Sequence, residues 1–484
     1  MTSKPGFAAL CLGLALVTSA ASAAPLGSRE FNKLKKDALR AVATRQYGSL
    51  RSVLGELAQD DSERALELMS QLVVAAPEVF EAAVEAAASM SSDEVKDELL
   101  KQLDRSSSKP WEKIFFVEVA AKVGGETAVS GLTAALGAHK RQPEVARAAV
   151  HLIAEGKVVK AVDGLIDLLG ELEGGKDEES LLTSQVRDAL SAITGESFAT
   201  AELYRSFWAP RKASFRPVTG GQPKGWEGTS ERKRPTFFGS EIRSNRVVFV
   251  IDVSGSMHAA DPPPRERTGS PGGRQGPKTG AGEGGAEEPP EATSRVRIDR
   301  AKYQLAQAIK ALPPSAKFTI LAYSGAMLPP GSAQGGDPDA LLPPVIGGFE
   351  WLQAWQPKLT SASDRSKSSA AAWIDELKAN GSTFTYNALR AAFEVTDADT
   401  IVLLSDGAPT EIDRATGQPM SPEQILEKIE ALNRFKRLRI DTFGFDTANS
   451  GRAAIPGFGP SGADLDQFMR DLAKSNGGAY TQIR

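Results

Sequence analysis

Four near-continuous apolar runs constrain the fold of this chain more than any other feature: RVVFVIDV (246–253), KFTILAYS (317–324), TIVLLSD (400–406) and LRIDTFGF (438–445). Between and after them lie stretches of helical period, RIDRAKYQLAQAIKAL, KSSAAAWIDELKA, TYNALRAAFEV, SPEQILEKIEALNRF and DLDQFMRDLAKSN, with a short closing AYTQI. A strand wetted on one face alternates polar and apolar residues, whereas a run apolar throughout must be covered on both faces. Helices between the runs supply that cover, so residues 243–484 are predicted to form an α/β doubly wound parallel sheet. Ligands of such sheets sit in the crevice at the carboxyl ends of the strands.

The first run ends in Asp252, Ser254 and Ser256, one carboxylate and two hydroxyls spaced two apart. Asp and Ser also cluster at turns to hydrogen-bond the backbone, so this pattern alone is open to either reading. NGSTFTYNAL adds Thr383 in a loop leading into a helix, and IVLLSDGAPT adds Asp406 at the end of another apolar run. A parallel sheet can bring both beside the first group, giving a hard-oxygen set suited to Mg²⁺ or Mn²⁺ and poorly suited to zinc or copper.

FVIDVSGSM, NGSTFTYNAL and LLSDGAPT, in this order, resemble a von Willebrand factor A domain with its metal-ion-dependent adhesion site. The resemblance covers about residues 243–484 and implies one divalent cation, Mg²⁺ or alternatively Mn²⁺ or Ca²⁺, on the upper face of the sheet. Matched motif by motif, Asp252, Ser254 and Ser256 take the first loop, Thr383 the second and Asp406 the third. In that family the serines and sometimes the threonine bind the metal directly, the aspartates often act through water, and one position is left for a partner's carboxylate. Two departures stand out: Ser382 replaces a common second glycine, and a Pro/Gly-rich insertion (260–294) follows the first motif. Neither removes a ligand oxygen, and the insertion carries acidic residues such as Glu283 and Glu287 that could reach the metal. Its composition leaves too little apolar surface for a core and is that of a disordered segment.

Residues 28–208 read as helical throughout, with Pro77, Pro110 and Pro143 each placed where a helix can begin. PEVARAAVHLIAEGKVVKAVDGLIDLLGEL pairs two amphipathic helices and resembles HEAT-like helical repeats, best over 140–195. A solenoid of that kind buries a continuous core and displays an extended surface, and a compact all-α bundle is the competing arrangement. Residues 209–242 are rich in Pro, Gly and charge and read as a linker whose Phe237 and Phe238 could pack on the next domain.

At the N-terminus Lys4, an apolar run from Phe7 to Val17 and the small residues Ala21-Ser22-Ala23 make the pattern of a signal peptide over 1–23, cut after Ala23. Cys11, the single cysteine, lies within it, leaving a disulfide-free chain suited to a bacterial periplasm, cell surface or secreted location. No later segment has the length and freedom from charge of a membrane span. A net charge of −4, with no basic stripe, gives no reason to expect nucleic acid.

The histidines His139 and His151 lack helical metal-pair spacing, and His258 adjoins the first motif. Phe349, Trp351 and Trp355 read as a long loop packed on the domain, and RFKRLR (434–439) as a solvated cluster at a helix end. No catalytic triad or phosphate loop is present. The expectation is therefore a non-enzymatic exported protein that engages a protein partner through an acidic side chain completing the metal coordination. A scaffold working mainly through its helices is the alternative, and a metal-dependent phosphoesterase the third, lacking a visible base, nucleophile or second metal set.

Overall fold

The computed structural model describes residues 25–105, 107–175, 178–217, 234–261, 294–325, 345–346, 349–350, 352–411, 413, 417–445 and 462–483. The expected signal peptide, part of the linker and the body of the insertion, with Glu283 and Glu287, lie outside the described residues. The chain divides into two compact units, Met1–Gln102 and Leu103–Arg484.

In the first unit α1 (Ser28–Ala43), α2 (Tyr47–Asp60), α3 (Glu63–Ala75) and α4 (Phe80–Ala88) pack on one another, and α5 (Asp93–Asp104) follows. Pro77 opens a single 3-10 turn that leads into α4.

The second unit begins with α6 (Pro110–Val123), α7 (Gly125–Leu136), α8 (Pro143–Glu155), α9 (Val162–Leu172), α10 (Leu181–Thr194) and α11 (Ala201–Trp208). Pro110 and Pro143 stand first in α6 and α8, where a missing N–H breaks no helical hydrogen bond. Helix α6 packs on α7 and α8, α8 on α10, and α9 on α10 and α11. Contacts between next-but-one helices, α6 with α8, α8 with α10 and α9 with α11, recur along this region, as they do in stacked helical repeats.

A hairpin of β1 (Thr236–Phe237) and β2 (Ser240–Glu241) precedes β3 (Arg246–Asp252), α12 (Arg297–Ala311) and β4 (Lys317–Tyr323). There follow the small pair β5 (Val345–Ile346) and β6 (Phe349–Glu350), then β7 (Leu352–Ala354), β8 (Thr360–Ser361), α13 (Asp364–Glu376), α14 (Thr385–Phe393), β9 (Thr400–Ser405), α15 (Pro422–Asn433), β10 (Arg439–Phe445), α16 (Gly462–Ser475) and β11 (Tyr480–Ile483). The seven-stranded sheet runs β11-β10-β9-β3-β4-β7, with β8 also on β4.

The doubly apolar character of β3 has its cause in this arrangement. Val247, Phe249 and Ile251 face a core with Ile298, Ala301 and Leu305 of α12 and Ile374 of α13. Val248 and Val250 face the opposite core, with Leu389 and Phe393 of α14, Ile425 and Ile429 of α15 and Phe468 of α16. Phe237 is fully buried in the first of these cores, its ring 4.9 Å from that of Phe443.

One edge departs from the parallel expectation: β7 and β8 pair antiparallel with β4. An antiparallel return needs no crossover helix, and β7 is too short to show strand periodicity in sequence. Trp355, just after β7, packs as expected, stacked on Phe318 at 4.9 Å. The side chains of Phe349 and Trp351 lie outside the description.

The basic cluster RFKRLR, expected to be solvated, instead forms a seam between the helices and the amino ends of the strands. Arg147 of α8 is 6% exposed and donates from Nη2 to the Lys436 carbonyl at 2.8 Å and from Nε to the Arg437 carbonyl at 3.1 Å. Glu118 of α6 pairs with Arg437, and the Ser184 hydroxyl of α10 donates to the Arg243 carbonyl at 3.0 Å. Burial pushes the Arg147 guanidinium below its ordinary pKa, opposed by the charge of buried Asp399. Sequence could not show this, because the partners lie almost three hundred residues apart. Replacing Arg147 by Ala leaves two carbonyls without their donor and removes a cation near buried Asp399, with an expected loss of about 3 kcal/mol in urea unfolding; unchanged stability would contradict the seam.

Candidate metal centre

Strand β3 is central because its connection leads to β4 on one side, while β9 lies on the other and the chain continues from there to β10. The crevice of a doubly wound sheet opens where the connections part, here between the carboxyl ends of β3 and β9. Asp252 ends the first of these strands and Asp406 directly follows the second.

The five residues singled out from sequence come together there. Ser254 and Ser256 hydroxyls lie 2.9 Å apart, and Ser256 Oγ donates to Asp406 Oδ1 at 2.6 Å. The Ser254 N–H donates to Asp252 Oδ1 at 2.7 Å. Thr383 arrives from the loop before α14: a methyl group on Gly407 would lie 3.0 Å from Thr383 Oγ1 and 3.5 Å from Ser256 Oγ. Asp252, Ser254, Thr383 and Asp406 are buried and Ser256 is half-buried.

Three loops are tied by backbone. Gly255 N–H donates to the Gly381 carbonyl at 2.9 Å and Asn380 N–H to the Val253 carbonyl at 2.7 Å, fixing the second loop to the first. Thr410 fixes the second to the third, its N–H donating to the Thr383 carbonyl at 2.8 Å while its Oγ1 accepts from Thr383 N–H at 3.0 Å. Gly381 has φ +78°, and a Cβ there would lie 2.2 Å from the Gly325 carbonyl oxygen. Ser382 is not among the residues with positive φ, so a side chain fits where a second glycine was the expected pattern.

Residues that sequence reasoning missed surround the five. Ser405 Oγ donates to Asp252 Oδ2 at 2.6 Å. Arg297, 2% exposed, donates from Nη1 to Asp406 Oδ2 and from Nε to Asp261 Oδ1, each at 2.9 Å. The signal for Arg297 was present: it sits on the same face of α12 as the buried Ala301 and Leu305. Beneath the site, Glu411 Oε1 accepts from the Tyr386 N–H, while Oε2 has no hydrogen-bond partner among the described residues. His258, weighed as a possible contact, has Nε2 2.9 Å from the Ala379 carbonyl oxygen.

Burial pushes the Asp252 carboxyl up to about 7, with the Asp406 charge adding to it and the hydrogen bonds from Ser405 and Ser254 opposing. Burial opposes the Arg297 charge, but hydrogen bonds to Asp261 and Asp406 outweigh it and hold that pKa above its ordinary value. The donor set fits a hard divalent cation: hydroxyls and carboxylates converge, and Asp252 is a buried carboxylate served only by neutral donors. Among the described residues no group of three or more His, Cys, Asp and Glu side chains gathers to hold a metal.

Burial also pushes Glu411 up to about 8. The unfolded chain ionises this group near 4.5, so between those values the folded state holds the extra proton and stability falls as pH rises through the window. Each pH unit there costs up to about 1.4 kcal/mol, and Glu411→Gln is expected to flatten the profile measured by thermal melting at pH 5 to 8; an unaltered slope would contradict this assignment. Gly381→Ala is expected to lower stability by at least about 1 kcal/mol through backbone strain alone, read in the same melts.

Comparison with known proteins supports the domain. A family model described as von Willebrand factor type A domain matches residues 245–266 and 346–455. The human von Willebrand factor A domain-containing protein 3A is 29% identical over 131 residues, 27% of this chain and 9% of that protein. The human protein 3B is 31% identical over 127 residues, 26% of this chain and 8% of that one. This chain therefore spans less than a tenth of the length of these relatives. Among solved structures, a von Willebrand factor type A protein from Catenulispora acidiphila aligns with TM-score 0.29 and 18% identity over 50% of this chain and 40% of that one. An aerotolerance-related membrane protein from Bacteroides fragilis aligns with TM-score 0.28 and 14% identity over 49% of this chain and 90% of that one. The sequence matches and the observed sheet together place a von Willebrand factor type A domain, a fold with the capacity for protein–protein interaction, in the C-terminal part of this chain.

Proposed function

We propose that this domain is a divalent-cation-dependent hook for a protein partner, using Asp252, Ser254, Ser256, Thr383 and Asp406 to hold Mg²⁺, or alternatively Mn²⁺ or Ca²⁺. The observation that carries the reading is the convergence of these side chains from three separate loops at the crevice between β3 and β9. When bound, the cation supplies Lewis acidity toward one further anionic oxygen, and an acidic side chain of the partner is the proposed donor. The residues of the chain do the rest. Ser254, Ser256 and Thr383 offer neutral oxygens that leave charge on the cation, Ser405 and Ser254 N–H orient the Asp252 carboxylate, and Thr410 fixes the second loop.

Binding rather than hydrolysis is favoured by what stands beside these groups. A hydrolytic site needs a positioned base and a nucleophile or second metal. Here His258 is engaged by a backbone carbonyl and Arg297 by two carboxylates. The helical region is proposed as a second interaction surface. Among the described residues no helix is long and apolar enough to cross a membrane. The leader-like residues 1–23 support action in a periplasm, at a cell surface or after secretion.

Mg²⁺ at a hundredfold excess over its Kd is expected to stabilise the full chain by about 2.7 kcal/mol, and Asp252→Ala to abolish that gain. Partner capture on the immobilised chain is expected to need Mg²⁺, to be lost in EDTA and to be lost in the same variant. Capture indifferent to both changes would contradict the proposal.

A further inference from the structure

We propose that Arg297 offsets the charge of Asp406, and in doing so sets how much positive charge the cation shows to its partner. This rests on the metal reading above and adds to it a residue outside the motifs. Asp406 has both oxygens engaged: Oδ1 accepts from Ser256 at 2.6 Å and Oδ2 from Arg297 at 2.9 Å. Oδ1 thus faces the hydroxyls while Oδ2 is bound to a buried guanidinium that offsets the carboxylate's charge, and breaking a buried charge pair is costly.

The guanidinium cannot easily swing away. Arg297 N–H donates to the Ala259 carbonyl at 2.9 Å, so its backbone is tied to the loop that carries Ser254 and Ser256. Ala260 and Val296 form an antiparallel bridge beside it, and Asp261 N–H donates to the Arg295 carbonyl at 2.9 Å. Its Nε is held by Asp261 Oδ1, whose second oxygen is paired with Arg300. Arg295 completes the grip by donating from Nε to the Asp261 carbonyl at 2.9 Å.

Charge in this cluster balances in a particular way. Arg297 pairs with Asp406 and Asp261, and Arg300 with Asp261, whereas Asp252 is the carboxylate of the site with no ion-pair partner among the described residues. A divalent cation facing one unneutralised carboxylate and several hydroxyls keeps about one positive charge, which a partner's carboxylate can satisfy. Freeing Asp406 would satisfy the cation from within. Removing Asp261 would do the reverse, because Arg297 and Arg300 would then add net positive charge beside the cation.

A merely structural cluster would weaken metal binding whichever member is removed, whereas this account requires opposite signs. Mn²⁺ affinity is measured by calorimetry on the full chain, with and without acetate as the anionic probe, for wild type, Arg297→Gln and Asp261→Asn. Each is first checked by circular dichroism and melting in EDTA. Arg297→Gln is expected to bind Mn²⁺ about tenfold more tightly and to lose most of the strengthening that acetate gives the wild type, and Asp261→Asn to bind it several-fold more weakly. Should Arg297→Gln fail to fold, the acetate arm of Asp261→Asn carries the test: acetate is expected to strengthen its Mn²⁺ binding more than it does the wild type's, and an equal or smaller strengthening overturns the role of Arg297. Equal or same-direction effects in the two variants, or unchanged affinity in Asp261→Asn, overturn the role of Arg297 while leaving the metal reading intact. A wild type that binds no Mn²⁺ overturns both.

Discussion

Asp252 is a carboxylate with no exposed surface, set at the end of the central strand and within electrostatic reach of a second buried carboxylate. A bare charge in that position is among the most expensive things a fold can hold. The surroundings divide the problem. Asp406 is neutralised by Arg297, whereas Asp252 receives only a backbone N–H and hydroxyls and is pushed toward the protonated form. A cation would relieve the group that the protein itself does not. On this account the fold does not simply contain a metal motif; it withholds one counter-charge.

The rest of the second unit is arranged to keep that point fixed. The sheet buries apolar side chains on both faces, so β3 and β9 cannot shift independently. Beyond their ends, Gly255, Asn380 and Thr410 join the loops through backbone hydrogen bonds, and the close approach at Gly381 leaves no space for a side chain. At the amino ends of the strands, α6, α8 and α10 are joined to the sheet through Arg147, Glu118 and Ser184. Helices and sheet therefore meet at one edge while the candidate site opens at the other.

Much of this was legible in sequence. The four apolar runs appear as β3, β4, β9 and β10, and the helical stretches between them appear as α12 to α16, because two-sided burial and helical period are local signals. Asp252, Ser254, Ser256, Thr383 and Asp406 were singled out by motif, each at a strand end or helix entry, and the structure brings them to one place. What stayed hidden depends on partners far apart in the chain. Arg297 stood on the apolar face of a helical stretch but with no partner in view, Glu411 carried no sequence signal, and RFKRLR looked like a solvated cluster. Each acquires its role from a contact that no periodicity encodes: Arg297 with Asp406, Glu411 with the backbone of Tyr386, and the carbonyls of Lys436 and Arg437 with Arg147. The antiparallel edge strand β7 was missed for a different reason, being too short to alternate.

The central claim concerns a place: a cation among the hydroxyls of Ser254, Ser256 and Thr383, beside Asp252. The most direct measurement is anomalous diffraction from crystals of the full chain grown with Mn²⁺. The account predicts an anomalous peak bounded by those three hydroxyls, with Arg297 still paired to Asp406. Absence of a peak there at saturating Mn²⁺, or a peak elsewhere with the hydroxyls still hydrogen-bonded to one another, would contradict it.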